Sequence, residues 1–347
     1  MRRTYRLAVT AALIMAVSVG CAGAQVATVD TADRGGPTAD PVLAAAPGPG
    51  DAAVPVDSPV APDQVASPEG VSVANRADES MVWVAAGDHE VPGTLAMPVT
   101  PTDRPVPVVL MLHGDLSSRD ENGDLFARQA AALAADGIAS LRIDFAGSGD
   151  SPEPDLALNY PNMVADAAAA LDYLRSDDRV DSTRVAVLGL SRGGAIAATL
   201  AGTRPGIAAL VEWSGAVYNG YDEEPDLHDQ ARVDGYVDLG PDAGGFRLSL
   251  SWFDTIEQSH PLTDVTDYTG AVLAITGSQD QVVPPTTSDV LVQAVASTDT
   301  TRAMIDGADH EYQATSEDQT HADEVIRLTD QWLLSRLNNG GGAASVG

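Results

Sequence analysis

Val185-Ala-Val-Leu-Gly-Leu-Ser-Arg-Gly-Gly194 decides the fold. Val185 to Leu188 is short, apolar and rich in β-branched residues, the composition of a central parallel strand covered on both faces. Gly189-Leu-Ser-Arg-Gly193 fits Gly-x-Ser-x-Gly, and the alanine-rich run Gly194 to Ala201 favours a helix. A serine held in a strained turn leaves no room for a neighbouring Cβ, which accounts for glycine at 189 and 193. The Ser191 hydroxyl then stands at the head of a helix, where backbone N–H groups can meet a negative oxygen. An ordinary glycine-rich turn would carry the same five residues, so the reading depends on the partners Ser191 finds.

The flanking sequence alternates strands and helices. Met81 to Ala85 and Val91 to Met97 read as antiparallel strands joined through Gly87-Asp88, with Val71 to Ala74 as a further strand before them. Val106 to Leu112 is a buried strand running into His113-Gly114. Leu125 to Asp136 has helical spacing, Ile138 to Ile143 is a strand ending in a glycine-rich loop to Ser151, and Met163 to Arg175 is a helix. Beyond Ser191 come a strand at Ile207 to Glu212, a long irregular stretch, a strand at Ala271 to Thr276, a helix near Thr287 to Ala296, a strand at Arg302 to Ile305 and a helix from about Ala322 to Leu337. This order predicts an α/β protein with a mostly parallel sheet, helices on both faces and right-handed crossovers.

A serine hydroxyl is a poor nucleophile until an imidazole takes its proton, and the imidazole needs a carboxylate to fix its tautomer. Of the six histidines, His310 alone follows the last predicted strand, at the sheet edge where open α/β sheets bind ligands. Asp280 stands just after the penultimate strand. Ser191, Asp280 and His310 thus occur in the order expected of an α/β-hydrolase triad. Asp306 and Asp309 are rival acids that read as turn or cap residues, and His321 is a rival base that opens the final helix. Attack on a carbonyl needs two N–H donors for the oxyanion; the amides of Asp115 and Arg192 are expected to supply them, with His113 orienting the Gly114 loop.

The chain has 347 residues, 19 basic against 50 acidic, and a formal charge of -31; lysine is absent. Such a surface repels nucleic acid and anionic membranes. The single cysteine, Cys21, rules out an intrachain disulfide. It follows a basic start, Met1 to Arg6, and an apolar run, Leu7 to Gly20, the pattern of a secretory signal over 1–24. Val17-Ser-Val-Gly-Cys21 reads as a lipobox, which would make Cys21 a lipidated first residue and the protein an extracytoplasmic lipoprotein; Ala22-Gly-Ala24 offers cleavage to a freely secreted protein instead. Residues 22–69, poor in large apolar side chains, read as a disordered tether, 70–337 as the folded domain, and 338–347 as a disordered tail.

Taken together, His113-Gly114, Arg142 to Ser151, Gly189 to Gly194, Gly277 to Pro284 and Gly307 to His310 resemble an α/β-hydrolase, and more narrowly the bacterial cinnamoyl or feruloyl esterase group, close to dienelactone hydrolases. Gly244-Gly-Phe-Arg-Leu248 adds to the narrower likeness. The resemblance implies a small cap inserted after the sixth strand, at about 217–260, and a carboxylesterase acting on short-chain or aromatic esters without cofactor or metal. Tyr218, Tyr221, Tyr236, Phe246, Trp252 and Phe253 would then either line an acyl pocket or hold the cap to the body. Two residues depart from the pattern: relatives commonly carry an aromatic or apolar residue at Asp115, and Gln or Met at Arg192. A carboxylate beside an oxyanion opposes the developing charge, so Asp115 is expected to cap the turn at Ser117-Ser118 or to pair with Arg192. The acidic cap disfavours polyanionic substrates and tolerates neutral esters or an amine. A serine aminopeptidase using the same residues, and a non-catalytic cell-surface binding module, are the competing readings.

Overall fold

β3 (Val106–Leu112), β4 (Ala139–Ile143), β5 (Val180–Leu190), β6 (Ala209–Trp213) and β9 (Ala271–Gly277) form the centre of one sheet; β3 and the Val185–Leu188 part of β5 are the apolar runs read as buried strands, and the other three fall at runs read as strands. The structure is a computed structural model describing residues 77–99, 104–219 and 225–337. The expected strand at Val71 to Ala74, the signal with Cys21, the tether, Tyr221 and the tail at 338–347 lie outside the described residues.

β1 (Ala77–Ala86) and β2 (His89–Pro98) form a hairpin on one flank, and β10 (Thr300–Ile305) closes the other. The order is β1-β2-β4-β3-β5-β6-β9-β10, with β2 antiparallel to both its neighbours and every pair from β4 to β10 parallel. Helices α1 (Leu125–Ala135), α2 (Tyr160–Ser176) and α3 (Arg192–Thr203) follow β3, β4 and β5. Two apolar layers result. One joins α2 and α3 to the sheet through Leu110, Val187, Leu171 and Ile196. The other joins α1 and the long final helix, Thr320–Leu337, through Phe126, Met111, Trp213 and Leu333.

Strand β5 begins five residues before the predicted run, because Asp181, Ser182 and Thr183 mask it; their polar side chains emerge where the strand overhangs, and Asp181 Oδ1 accepts from the Thr183 amide at 3.0 Å. Helix α2 begins at Tyr160 instead of Met163. Asn159 caps it by accepting from the Asn162 amide at 3.0 Å, a start signal that apolar spacing alone misses.

The irregular stretch after β6 folds into α4 (Pro225–Asp234), a ribbon of β7 (Tyr236–Asp238) and β8 (Arg247–Ser249), α5 (Leu250–Glu257) and α6 (Pro261–Asp264). It is tied to the body: Arg247 donates to Asp155 at 2.6 Å, and Thr255 Oγ accepts the Tyr160 amide at 3.2 Å. Among the described residues, no helix is long and apolar enough to cross a membrane.

Candidate active site

Ser191 sits between β5 and α3 with φ 54° and ψ -120°, a conformation costly for any residue with a Cβ. Its geometry explains the glycines around it. A Cβ on Gly189 would lie 2.1 Å from Gly193 O, and one on Gly193 would lie 2.0 Å from Leu112 O. The turn is therefore closed against both itself and strand β3. Ser191 N donates to Trp213 O at 2.9 Å, and Ser191 O accepts from Ala216 N at 3.0 Å, so the backbone is held from the β6 side as well.

The strained backbone is concentrated here. Among the described residues, those other than glycine with positive φ are Leu116, Glu121, Asp124, Ser191, Ser214, Tyr312 and Gln313. Each lies in a segment that leaves the carboxyl end of β3, β5, β6 or β10. That edge is where the sequence placed the site.

Asp280 and His310 meet there. His310 Nδ1 donates to Asp280 Oδ2 at 2.9 Å. The other oxygen, Oδ1, accepts the amides of Val282 and Val283, each at 2.9 Å. Asp280 is thus both a turn cap and the partner of the imidazole, and the two roles use different oxygens. Burial works against a charge on His310, but the hydrogen bond and charge of Asp280, with smaller contributions from Glu311 and Glu121, outweigh it and raise its pKa above the usual 6.5. The rival acids have other duties: Asp309 accepts the amides of Glu311 and Gln313, and Asp306 accepts the Ser278 hydroxyl. His321 hydrogen-bonds to Gln313.

On the β3 side, His113 is fully buried, with Nδ1 donating to Gly114 O at 2.6 Å and Nε2 accepting the Phe145 amide at 3.2 Å. Both ring nitrogens are used to hold the loop. Gly114 packs against the serine; a Cβ there would be 3.2 Å from Ser191 Cβ. Asp115 pairs with Arg192, Oδ2 to Nε 3.1 Å, with the side chains 12% and 3% exposed. Of the two expected arrangements for Asp115, the ion pair is the one found. The guanidinium also lies 5.8 Å from the centroid of Trp252 on α5.

The cap aromatics divide. Phe253 stacks on His228 at 5.2 Å and meets Trp252 edge-on at 4.8 Å, so it holds the cap together. Tyr236 is exposed and carries the Arg247 guanidinium at 5.7 Å. Tyr218 OH bonds to Thr287 at 3.1 Å. Trp252 reaches residue 192. His228, Asp254 and Glu257 bring ligand-type atoms within 4.8 Å of one another. Arg232, which can only donate, contacts His228 Nδ1 at 3.2 Å, so the ring proton is on Nε2 and is given to Asp254 at 2.9 Å.

Sequence reasoning passed over three acids. Glu121 is 3% exposed and holds the Gly114 amide. Glu311, next to His310, is pushed up to about 7 by burial and by the charge of Glu121. Glu212 is wholly buried in β6; burial, reinforced by Asp280 and opposed by the Gly215 amide, raises it to about 8. A glutamate inside Ala-Leu-Val-Glu-Trp was the available signal for Glu212. Glu121 and Glu311 sit in polar loops that give none.

The reversed β2 in an otherwise parallel sheet, with serine, aspartate and histidine loops at one edge in that chain order, defines the α/β-hydrolase fold, and the protein has it. The family model described as serine aminopeptidase, S33, matches residues 103–230. Est1E from Butyrivibrio proteoclasticus with bound ferulic acid superposes with a TM-score of 0.62 at 20% identity, over 74% of this chain and 99% of that one. Dienelactone hydrolase from Anabaena variabilis gives 0.54 at 21%, over 76% and 99%. An uncharacterized protein of Mycobacterium tuberculosis is 30% identical over 190 residues, 55% of this chain and 58% of the relative. The quorum-quenching protein AidA of Acinetobacter baumannii is 32% identical over 111 residues, 32% and 36% of the two chains. The chain therefore spans little more than half the length of the mycobacterial relative it matches.

Proposed function

We propose that this chain is a serine hydrolase of carboxylic esters. Ser191 Oγ attacks the ester carbonyl, and His310 takes its proton and delivers it to the departing alcohol. Asp280 fixes the tautomer of His310 and stabilises the imidazolium, and water then hydrolyses the acyl-enzyme. The amides of Asp115 and Arg192 stabilise the oxyanion. The observation that carries this reading is Ser191 held at φ 54° at the head of α3, in a fold whose β9 and β10 loops supply a hydrogen-bonded His310–Asp280 pair at 2.9 Å. Likeness to Est1E and to a dienelactone hydrolase supports an ester substrate of short-chain or aromatic type. A lipid anchor on Cys21, outside the cytoplasm, completes the proposal.

The matched family description supports a second reading, in which the same residues cleave an N-terminal peptide bond. The two are separated by assaying purified protein on nitrophenyl esters of varied acyl length and aromaticity beside aminoacyl anilides, with Ser191→Ala in parallel. Ester turnover abolished by Ser191→Ala is expected. Preferential anilide cleavage overturns the ester reading, and ester hydrolysis unchanged by Ser191→Ala overturns Ser191 as nucleophile.

A further inference from the structure

An oxyanion donor works only if its loop is already in place when charge develops, and the loop here contains a glycine at its critical point. Glu121 supplies the fixation. Its Oε1 accepts the Gly114 N–H at 2.5 Å, and its Oε2 accepts the Ser117 hydroxyl at 2.7 Å. A single buried carboxylate thereby spans both sides of Asp115. Glu121 itself is held at φ 59°, in the left-handed region, and its neighbours are clamped. The Arg119 amide donates to Asp144 at 2.6 Å and its guanidinium pairs with the same carboxylate; Asp120 accepts from the buried Arg142 at 3.1 Å.

The following residue reaches the opposite side of the site. Asn122 Nδ2 donates to Glu311 Oε1 at 2.7 Å, and Glu311 directly follows His310. The dipeptide Glu121-Asn122 thus joins the loop beside Ser191 to the loop that bears the imidazole. The contact is close along its length: a Cβ on Gly123 would fall 2.0 Å from Ala314 O.

We propose that Glu121 is a positioning residue of the hydrolase: it fixes the His113-Gly114 peptide and the Ser117 hydroxyl on the two sides of Asp115, beside the Gly114 carbonyl that His113 holds, so that the Asp115 amide faces the oxyanion, and through Asn122 and Glu311 it keeps that loop in register with His310. The inference rests on the hydrolase reading above. Gly114 N–H, spent on Glu121, takes no part in oxyanion binding. The charged groups facing His310 are Asp280 from the loop after β9, Glu311 from its own loop and Glu121 from the loop after β3. Loss of the charge at 121 therefore lowers the pKa of His310 as well as loosening the loop.

The test uses the full chain, Glu121→Ala and Glu121→Gln, with a nitrophenyl ester, a boronic acid as tetrahedral-adduct analogue and a fluorophosphonate as label for Ser191. Near-ultraviolet circular dichroism and thermal unfolding report the fold. Glu121→Ala is expected to lower kcat by ~100-fold, the scale of one oxyanion donor, with KM little changed and boronate affinity falling in step. Glu121→Gln keeps an acceptor for the Gly114 amide, so it retains most of the activity while the acid limb of its pH profile moves to lower pH. A merely structural residue would not move that limb. Folded Glu121→Ala with wild-type kcat overturns the inference, as does loss of kcat without loss of boronate affinity, or an unmoved acid limb in Glu121→Gln. If Glu121→Ala does not fold, the limb and the boronate affinity of Glu121→Gln decide. Wild-type protein that turns over ester and labels at Ser191 while both variants match it defeats this inference alone. Wild-type protein that does neither defeats the hydrolase reading, and this with it.

Discussion

Removing the guanidinium of Arg192 while leaving its backbone amide in place breaks the pair with Asp115 together with the contact on Trp252, and a second substitution at Asp115 separates the two. At 3.1 Å, with both side chains largely buried, the attraction at an effective dielectric of about 20 is ~5 kcal/mol, opposed by the desolvation of both ions. The net worth of the pair is therefore modest, but stranding one partner is costly: Arg192→Met leaves a buried carboxylate unpaired and is expected to destabilise the fold by ~3–5 kcal/mol. The stranded charge also sits one residue from Gly114, which packs on Ser191, so it opposes negative charge on a substrate oxygen and lowers kcat. Asp115→Asn in the same chain removes that charge. The double variant should recover stability with a coupling energy of roughly 2 kcal/mol and regain activity relative to Arg192→Met. Urea titration of wild type, both single variants and the double variant measures the first quantity, and turnover of a short-chain nitrophenyl ester measures the second. Equal stability and equal activity in Arg192→Met and the double variant would refute the reasoning, since the carboxylate would then have found another partner or left the site.

Three further outcomes follow from the geometry. If His310 is the base, as proposed, it must be neutral to act, and because its pKa lies above 6.5, kcat/KM is expected to rise with pH through that raised value and level off above it; a profile already flat at and below pH 6.5 contradicts this. Glu212 carries a folded pKa of about 8 against the ordinary 4.5 of a free glutamate, so the native state holds its proton more tightly and stability falls as pH rises between those values. Glu212→Gln should flatten that slope in thermal unfolding, and an unchanged slope would show that Glu212 is not its source. Gly193→Ala places a methyl 2.0 Å from Leu112 O, a backbone atom that cannot step aside, so the variant should lose activity and unfold at lower urea; wild-type behaviour in both would mean the turn is looser than described.

The strands that frame the site were legible because a parallel strand covered on both faces is written as an apolar run, and Val106 to Leu112 is bounded the same way in sequence and structure. Ser191, Asp280 and His310 were legible as positions because each follows such a run. The cap was legible only as an insertion: its elements are short, α4 is mostly polar, and what orders them is contact with the body, Arg247 to Asp155 and Tyr160 to Thr255, between residues far apart in the chain. Glu121 was invisible for a related reason. In Ser-Ser-Arg-Asp-Glu it is one more charged residue in a loop, and its burial follows from how Asp144 and Arg142 draw its neighbours down. Asp115 and Arg192 fall between these cases: the unfavourable placement of a carboxylate predicted a partner, and the fold chose which.

The seven left-handed residues at the carboxyl edge of the sheet set an order of events on denaturation. Each stores about 1 kcal/mol, so together they hold an amount comparable with the ~5–15 kcal/mol net stability of a typical domain. That energy is released when the loops relax, without any strand having to part from its neighbour. Mild denaturant should therefore abolish turnover while far-ultraviolet circular dichroism still reports an intact sheet, and the interval between the two midpoints measures how tightly the scaffold grips its own catalytic edge.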